Sequence, residues 1–247
     1  VDAMLQNYIQ ARLDGESASA VVVDCETGDV VACASAPTFD PNLFVRGISV
    51  ADYKLLTENK YRPLANKSVQ GTYPPGSTFK MMTAMAALEE GLIGPDDTAY
   101  CPGHLEVSGR RFHCWKRAGH GWVDLQHSLK QSCDVYYYDL SYRLGIDKMH
   151  DFLARFGFGN RTGIDLHGER RGILPSRDWK RRVHNTIWYP GETLIAGIGQ
   201  GYMLATPLQL AQATTALASS GTMVSPRLVT ELRDEHITLT DSRDQSF

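Results

Sequence analysis

Long apolar segments and an excess of either charge are both missing from these 247 residues. No stretch approaches the roughly 20 consecutive apolar residues that a membrane-spanning helix requires. The net charge is −3, which gives no electrostatic reason to expect binding to nucleic acid or to an anionic membrane surface. No signal peptide is visible either, and because the chain begins at Val1 rather than Met, we expect a further segment upstream.

A fully paired set of disulfides is excluded, because the chain has five cysteines and the number is odd. Internal repeats and low-complexity linkers are also lacking. Hydrophobic residues make up 43% of the chain, an ordinary share for a globular protein that buries a core. We therefore expect one domain over residues 1–247, in which a helical portion is inserted after a β-hairpin.

Three segments carry clear local signals. Apolar spacing predicts a helix over residues 1–13, and two Val-rich runs around Gly28 predict a hairpin over residues 17–37. A Thr-Pro pair is typical of a helix start and predicts a helix at roughly 204–219. Residues 221–229 are expected to be extended.

The stretch TYPPGSTFKMMTAMAALEEG (72–91) places a lysine in the first turn of a helix that is apolar on nearly every face. Pro-Pro-Gly cannot be helical, so the helix starts at Ser77 or just after it, and Gly91 ends it. A capping serine and a solvated lysine would be the ordinary interpretation. Lys80 does not fit it, because a cation opposes the helix dipole at this end and burial disfavours its charge. A neutral Lys80 beside Ser77 would instead be a general base next to a nucleophile, and the dipole would favour an oxyanion there.

The residues around this pair carry a resemblance. PLANKSVQGTYPPGSTFK (63–80) resembles the first active-site motif of the penicillin-binding proteins, the serine D,D-transpeptidases that S-x-x-K marks. SAVVVDCETGDVVACASAPTFDPNLF (19–44) resembles the opening hairpin and following loop of the class B members. GIGQGYMLATPLQLAQATTALASSGTMVSPRLV (197–229) resembles their later helical segment. The resemblance covers nearly the whole chain and is strongest to the elongation-type class B enzymes.

Ser132-Cys133-Asp134 stands where the family has its second motif, S-x-N, with Asp in place of Asn. The resemblance implies that Ser132 relays a proton between Lys80 and the leaving group, and that Asp134 positions the substrate and the lysine. Capping of the following helix is the alternative role for either residue. The third motif, K-T-G or K-S-G, does not occur in the sequence. In the family it binds the substrate carboxylate, so we expect it beyond Phe247 and expect no turnover without it.

The glycines of GIGQGY (197–202) suggest a dinucleotide-binding loop, but the spacing is G-x-G-x-G and no Val-rich strand leads into a helix there. We discard that interpretation. The glycines are expected to let the backbone pass close to the floor of the active site.

Four metal-binding side chains follow one another with the spacing C-x12-C-x5-H-x12-C: Cys101, Cys114, His120 and Cys133. Three thiolates and one imidazole are a complete tetrahedral ligand set for a structural Zn²⁺, with no position left for water. Cys133 is also the middle residue of the second motif, so a metal here would hold that motif in place. Some elongation-type relatives are similar in carrying zinc at this position.

Alternatives to this ligand set remain open from the sequence. His104 or His113 could replace His120 as the nitrogen ligand, Cys101 and Cys114 could form a disulfide in an oxidising periplasm, or the thiols could be free and buried. The remaining two cysteines are predicted to be ordinary cysteines on the two strands of the hairpin: Cys25 and Cys33. Four aromatic side chains could line a substrate groove, although aromatic residues more often belong to a core: Tyr73, Trp115, Trp122 and Tyr136.

The resemblance implies an α+β, penicillin-binding/β-lactamase-like transpeptidase fold, an antiparallel sheet flanked by helices with an all-helical subdomain, here without its C-terminal part. It implies a peptidoglycan D,D-transpeptidase of cell-wall elongation. Ser77 would attack the carbonyl between the last two D-alanines of a stem peptide after Lys80 takes its proton. D-Alanine would leave, protonated through Ser132, and an amine of a neighbouring stem would then close the crosslink. β-Lactams would acylate Ser77.

The same resemblance implies a periplasmic domain of an inner-membrane-anchored protein, with the anchor and a non-catalytic region upstream. A membrane glycosyltransferase and proteins of the elongation complex are the implied partners, and no organic cofactor or nucleic acid is expected.

Two other functions are compatible with the same motifs. A β-lactamase or D,D-carboxypeptidase uses this scaffold, although no convincing E-x-x-L-N supplies the glutamate that activates the deacylating water of a class A β-lactamase. A non-catalytic β-lactam sensor or scaffold would keep the fold without crosslinking peptidoglycan.

Overall fold

The structure is a computed structural model that describes residues 1–230, 233–234 and 237–238. Its α-helices are α1 (Ala3–Arg12), α2 (Asn42–Val45), α3 (Val50–Thr57), α4 (Lys67–Gln70), α5 (Lys80–Glu89), α6 (Leu125–Lys130), α7 (Asp134–Leu144), α8 (Ile146–Ala154), α9 (Arg177–His184), α10 (Pro190–Gly197) and α11 (Pro207–Ala218). Its strands are β1 (Ala18–Val23), β2 (Val30–Ala36), β3 (Ala99–Cys101), β4 (His104–Val107), β5 (Arg110–His113), β6 (Gly121–Val123), β7 (Arg233–Asp234) and β8 (Ile237–Thr238). The strands pair antiparallel as β1–β2, β3–β6, β4–β5 and β7–β8. Among the helices of this part of the chain, none has both the length and the apolar character to cross a membrane.

The chain divides into two compact units. The first contains residues 1–72, 160–171 and 206–247, and the second contains residues 73–159 and 172–205. Because the two units alternate along the sequence, no single linker separates them. The expectation of one domain over residues 1–247 rests on the lack of a linker. Because the units alternate, a chain without a linker can still form two compact units.

The first unit contains the predicted hairpin. β1 pairs with β2 from Ala18 opposite Ala36 onward, and Gly28 in the turn has φ +79°, as its position predicts. The turn extends from Asp24 to Asp29, so Cys25 lies in the turn and not on a strand. The prediction of two strand cysteines is therefore wrong for Cys25. The Asp24 carboxylate accepts hydrogen bonds from the amides of Glu26 and Thr27, so the turn begins earlier than counting from Gly28 indicates.

Helices α1 and α11 of the same unit confirm their sequence signals. Asp2 caps α1, and its carboxylate accepts hydrogen bonds from the amides of Met4 and Leu5. Thr206 caps α11 through a reciprocal pair of hydrogen bonds with Gln209. The segment 221–229 contains an isolated bridge to the hairpin turn and no regular strand.

The second unit is built around α5, α7 and α10. The apolar run of α5 is buried as predicted, and Gly91 adopts φ +64° just after the helix end. Buried side chains from these helices form one core with the cysteines of β3, of the loop after β5 and of the segment before α7. The predicted catalytic and metal-binding side chains all belong to this unit.

Candidate active site

Ser77 and Lys80 lie on two consecutive elements at the start of the apolar helix. Gly76–Phe79 forms a 3₁₀ turn that holds Ser77, and α5 begins at Lys80. The cap of α5 is Phe79, which has no capping side chain, so the alternative that Ser77 caps the helix is wrong. Lys80 is only 1% exposed, so the prediction of a buried lysine in the first helical turn is confirmed.

Gly199 allows the backbone to approach this turn closely. Its carbonyl accepts a hydrogen bond from the amide of Gly76 at 2.8 Å, and its φ is +70°. A Cβ at Gly199 would lie 2.5 Å from the carbonyl oxygen of Gly76 and 2.7 Å from Cβ of Phe79, which no side chain can tolerate. The expectation that these glycines let backbone pass under the site is confirmed for Gly199.

A chain of hydrogen bonds joins the two motifs. Oγ of Ser132 donates to Oγ of Ser77 at 2.8 Å, and Nζ of Lys80 donates to Oγ of Ser132 at 3.0 Å. Nζ also donates to Oδ1 of Asp134 at 2.7 Å. Among the described residues, the amine makes no direct hydrogen bond to Ser77. Ser132 is thus the side chain through which the serine and the lysine communicate.

The second motif has an unusual backbone. Ser132 has φ +52°, in the left-handed region that non-glycine residues rarely adopt. Its carbonyl turns toward the lysine and accepts a hydrogen bond from Nζ of Lys80 at 2.9 Å. Helix α7 is capped by Cys133 without a side-chain bond and starts at Asp134. The capping alternative is therefore wrong for Ser132, and Asp134 contributes a first-turn carboxylate that the helix dipole favours.

Trp115 completes the surroundings of this motif. Its amide donates to Oδ2 of Asp134 at 2.9 Å, and its indole Nε1 donates to the carbonyl of Ser132 at 3.1 Å. The sequence singles out Trp115 only as a groove or core aromatic, and the structure places it 63% exposed beside the motif. Its position directly after Cys114 is the one signal that could have linked it to the site.

The four predicted metal-binding side chains come together beside the second motif. Their ligand atoms lie within 4.8 Å of one another, and the three cysteines are buried. Nδ1 of His120 lies 3.6 Å from Sγ of Cys101 and 3.6 Å from Sγ of Cys114. Usual zinc–sulfur and zinc–nitrogen bond lengths at a tetrahedral centre would place such a nitrogen and sulfur roughly 3.6 Å apart, so the two distances from His120 match that geometry.

Burial affects the ionisation of this cluster. It raises the pKa of the Cys133 thiol and lowers the pKa of His120, where the nearby charge of Lys116 acts in the same direction. Nε2 of His120 is buried, and among the described residues it has no hydrogen-bond partner. The histidine thus presents a neutral ring whose Nδ1 points at two sulfur atoms.

The sequence left open two other histidine ligands and a disulfide for this cluster. His104 and His113 lie opposite each other on β4 and β5, with ring centroids 5.9 Å apart, and they are not members of the cluster. The five cysteines are free thiols in the structure, including Cys101 and Cys114, for which a disulfide was the alternative.

Comparison with known proteins identifies the family. The family model described as the penicillin binding protein transpeptidase domain matches residues 18–247. The peptidoglycan D,D-transpeptidase MrdA of Salmonella typhimurium strain LT2 is 44% identical over 231 residues, which cover 93% of this chain and 37% of that protein. The chain therefore spans little more than a third of this curated relative.

Solved structures agree with this result. PBP2 of Pseudomonas aeruginosa, in complex with WCK 5153, superposes with a TM-score of 0.92 at 43% identity, over 98% of this chain and 53% of that one. PBP2 of Helicobacter pylori, in a complex with MreC, gives a TM-score of 0.88 at 36% identity, over 91% of this chain and 42% of that one. The expected transpeptidase fold is confirmed, and the chain belongs to the penicillin-binding protein transpeptidase domain family.

Proposed function

We propose that this chain is part of a peptidoglycan D,D-transpeptidase that crosslinks stem peptides through an acyl-enzyme on Ser77. The observation that carries the proposal is the hydrogen-bonded path from Ser77 through Ser132 to the buried amine of Lys80. A serine linked in this way to a basic nitrogen is an activated nucleophile. The MrdA relative is named for the same activity.

The path supports proton transfer in both directions. The path is seen with Nζ of Lys80 donating to Ser132 and Ser132 donating to Ser77. Acylation uses the reversed path after Nζ has lost a proton: Ser77 donates to Ser132 and Ser132 donates to Nζ. The proton of Ser77 then reaches the amine through Ser132 while Oγ of Ser77 attacks the carbonyl of the scissile D-alanyl bond. The Asp134 carboxylate, 2.7 Å from Nζ, stabilises the ammonium that forms. The ammonium then returns a proton through Ser132 to the amine of the departing D-alanine. An amine of a second stem peptide then attacks the acyl-enzyme: the new amide bond forms, the ester bond to Oγ of Ser77 breaks, and the proton of the amine passes through Lys80 and Ser132 to Oγ of Ser77.

Charge that develops on the attacked carbonyl oxygen is also favoured by the location of Ser77. The serine lies in the 3₁₀ turn that leads into α5, so it is close to the positive end of that helix dipole. A β-lactam carbonyl would occupy the same position and acylate Ser77.

Acylation of the full-length protein by a fluorescent penicillin tests this function. We expect one adduct, located on Ser77 by peptide mass spectrometry, that is lost in Ser77→Ala and kept in Thr78→Ala, whose hydroxyl bonds the carbonyl of Pro75. The adduct should persist for hours, and Ser77→Ala should abolish crosslinking of stem peptides. Rapid release of the drug would indicate a β-lactamase, and hydrolysed but uncrosslinked peptides would indicate a carboxypeptidase. Crosslinking that survives Ser77→Ala would indicate a scaffold.

The cysteine–histidine cluster is proposed to hold a structural Zn²⁺. The proposal is supported by the composition of the donor set, by its closeness and by the neutral state that burial favours for His120. The ion would link Cys133 to β3 and to the loop after β5, and so would hold the second motif at a fixed position. Metal analysis should find about one zinc per protein, lost in Cys114→Ser and kept in Cys33→Ser. Well-folded protein without zinc contradicts the proposal.

The setting of this activity is proposed to be the periplasmic side of the inner membrane, within a cell-wall elongation complex that includes a membrane glycosyltransferase. The support is the family and the Helicobacter pylori relative, whose structure was solved in a complex with MreC. Crosslinking in cells, followed by purification of the full-length protein, should recover proteins of that complex. Recovery of cytosolic proteins alone would contradict this setting.

A further inference from the structure

We propose that Trp115 is a positioning residue that holds the Ser132–Asp134 motif in its working geometry. This inference rests on the proposed function, because it assumes that Ser132 relays a proton between Ser77 and Lys80. It assigns a role to a side chain that lies on the outside of the site and is 63% exposed.

The backbone of Ser132 needs an external support. Its left-handed conformation, with φ +52°, is unfavourable for a residue that has a Cβ. Such a conformation persists only where neighbouring groups determine it. The carbonyl of Ser132 accepts two donors, Nζ of Lys80 at 2.9 Å from the inner side and Nε1 of Trp115 at 3.1 Å from the outer side. The same indole N–H also reaches the carbonyl of Gln131 at 3.1 Å.

Trp115 also contacts the other end of the motif. Its backbone amide donates to Oδ2 of Asp134, whose other oxygen, Oδ1, receives the lysine amine. The residue therefore fixes both the serine that relays the proton and the carboxylate that orients the lysine. One residue therefore contacts both the backbone of Ser132 and the carboxylate of Asp134.

The position of Trp115 is itself determined by the cysteine–histidine cluster. The residue follows Cys114 directly, and its ring packs edge-on against His120 at 5.4 Å between centroids. Among the described residues, Trp122 offers a matched comparison: it is 72% exposed, and its ring packs on Tyr100 at 5.4 Å across β3 and β6. Trp122 is a similarly exposed tryptophan that, among the described residues, makes no hydrogen bond to the second motif.

Stopped-flow acylation of the full-length protein by a penicillin separates positioning from substrate contact. The measurement yields the dissociation constant of the initial complex and the rate constant of acylation. We expect Trp115→Phe to lower the acylation rate constant about three- to tenfold, the effect of one lost hydrogen bond, with the dissociation constant unchanged and the protein still folded. Replacement of Trp115 by benzothienylalanine, which keeps the ring shape but lacks the N–H, should give the same loss. Trp122→Phe should have no effect.

Each other result has a definite meaning. An unchanged acylation rate constant in both Trp115 variants, with wild-type protein acylated on Ser77, overturns the positioning role and leaves the proposed function intact. A loss confined to the dissociation constant also overturns it, because Trp115 would then contact the ligand. Equal losses of the acylation rate constant in the Trp115 and Trp122 variants would also overturn it, because the effect would then come from a general loss of stability. Wild-type protein that is not acylated on Ser77 overturns the proposed function and this inference together.

Discussion

Lys80 carries a basic nitrogen almost completely out of water, and three oxygen acceptors surround it. Two of them belong to Ser132, its carbonyl and its hydroxyl, and the third is the carboxylate of Asp134. A buried cation is strongly destabilising when its counter-charge is removed, because no other group repays the lost hydration. Asp134 is therefore expected to contribute to folding as well as to chemistry.

Asp134→Ala should lower the free energy of unfolding by about 3 kcal/mol, since it leaves the Lys80 amine without its carboxylate. Asp134→Asn should cost less, about 2 kcal/mol, because the counter-charge is lost but the amide oxygen still accepts a hydrogen bond from Nζ. Urea denaturation of the three proteins measures both values. Asp139→Ala is the control, since Asp139 forms an exposed pair with Arg143, and it should change stability by less than about 0.5 kcal/mol. An equal cost for Asp134→Ala and Asp139→Ala would contradict the prediction.

Lys80→Met tests the lysine as the base. Methionine has a similar length and no titratable group, so the proton of Ser77 loses its acceptor and acylation by penicillin should slow by roughly 10²- to 10⁴-fold. Lys130→Met, at an exposed lysine two residues before Ser132, should acylate at the wild-type rate. Second-order rate constants of acylation, measured for the wild type and both variants, test whether Lys80 is the base. A loss below tenfold in Lys80→Met would mean that another group accepts the proton.

At the scale of secondary structure, the position of Asp134 depends on how α7 packs against α10. Ser141 of α7 lies directly against Gly197 of α10, where an added Cβ would fall 1.7 Å from Oγ and 2.6 Å from Cβ of the serine. The carbonyl of Gly197 also accepts a hydrogen bond from Thr83 of α5 at 2.8 Å. A glycine is therefore what allows the three helices of the second unit to approach one another.

Gly197→Ala should lower the free energy of unfolding by about 2 kcal/mol, because the new methyl group overpacks the contact with Ser141. The same substitution in a Ser141→Gly background should cost less than about 0.5 kcal/mol, and the difference measures the coupling between the two positions. Gly94→Ala is the control, since a Cβ there would lie 3.8 Å from the nearest heavy atom, in ordinary contact. An undiminished cost in the Ser141→Gly background would show that the clash lies elsewhere.

Elements whose ends are set by local chemistry are the ones that the sequence predicts well. The Thr206 cap, the Gly28 turn and the end of α5 before Gly91 all depend on residues within a few positions of one another. The hairpin bulge after Val22 is not predictable from alternation, because both strands consist of small or apolar residues and have no polar–apolar alternation that a bulge would interrupt. The left-handed backbone of Ser132 is also not predictable from neighbouring residues. It is supported by donors from Lys80 and Trp115, which are distant in the sequence.

At the scale of the whole molecule, the two compact units interleave along the chain, and each has its own core. Val30, Val69, Ile164 and Leu208 belong to the core of the first unit. Leu194, Tyr137 and the three cluster cysteines belong to a core of the second. The identities of the site residues could be predicted from spacing and resemblance. The route from Ser77 to Lys80 through Ser132 could not, because it depends on side-chain directions across 55 positions of sequence.

The three cluster thiols lie in the core of the second unit, so the proposed zinc would contribute to the stability of that unit. Removal of zinc by a chelator should lower the melting temperature of the wild-type protein and leave that of Cys114→Ser unchanged. Without an ion, burial keeps the pKa of the Cys133 thiol above its usual range, so the thiol is protonated at neutral pH and must release a proton when zinc binds. The pKa of His120 is lowered by burial, so this side chain is already neutral near pH 7 and releases none.

Zinc affinity should therefore rise with pH, by at least about tenfold per pH unit from Cys133 alone between pH 6.5 and 8. Competition titrations against a chelating dye at several pH values measure the slope. Calorimetry in buffers of different ionisation enthalpy counts the released protons independently. Cys33→Ser, which alters a thiol of the first unit, should keep the same slope. An affinity that does not change with pH would mean that the thiols of the metal-free protein are already ionised. That result would contradict the raised pKa that burial gives the Cys133 thiol.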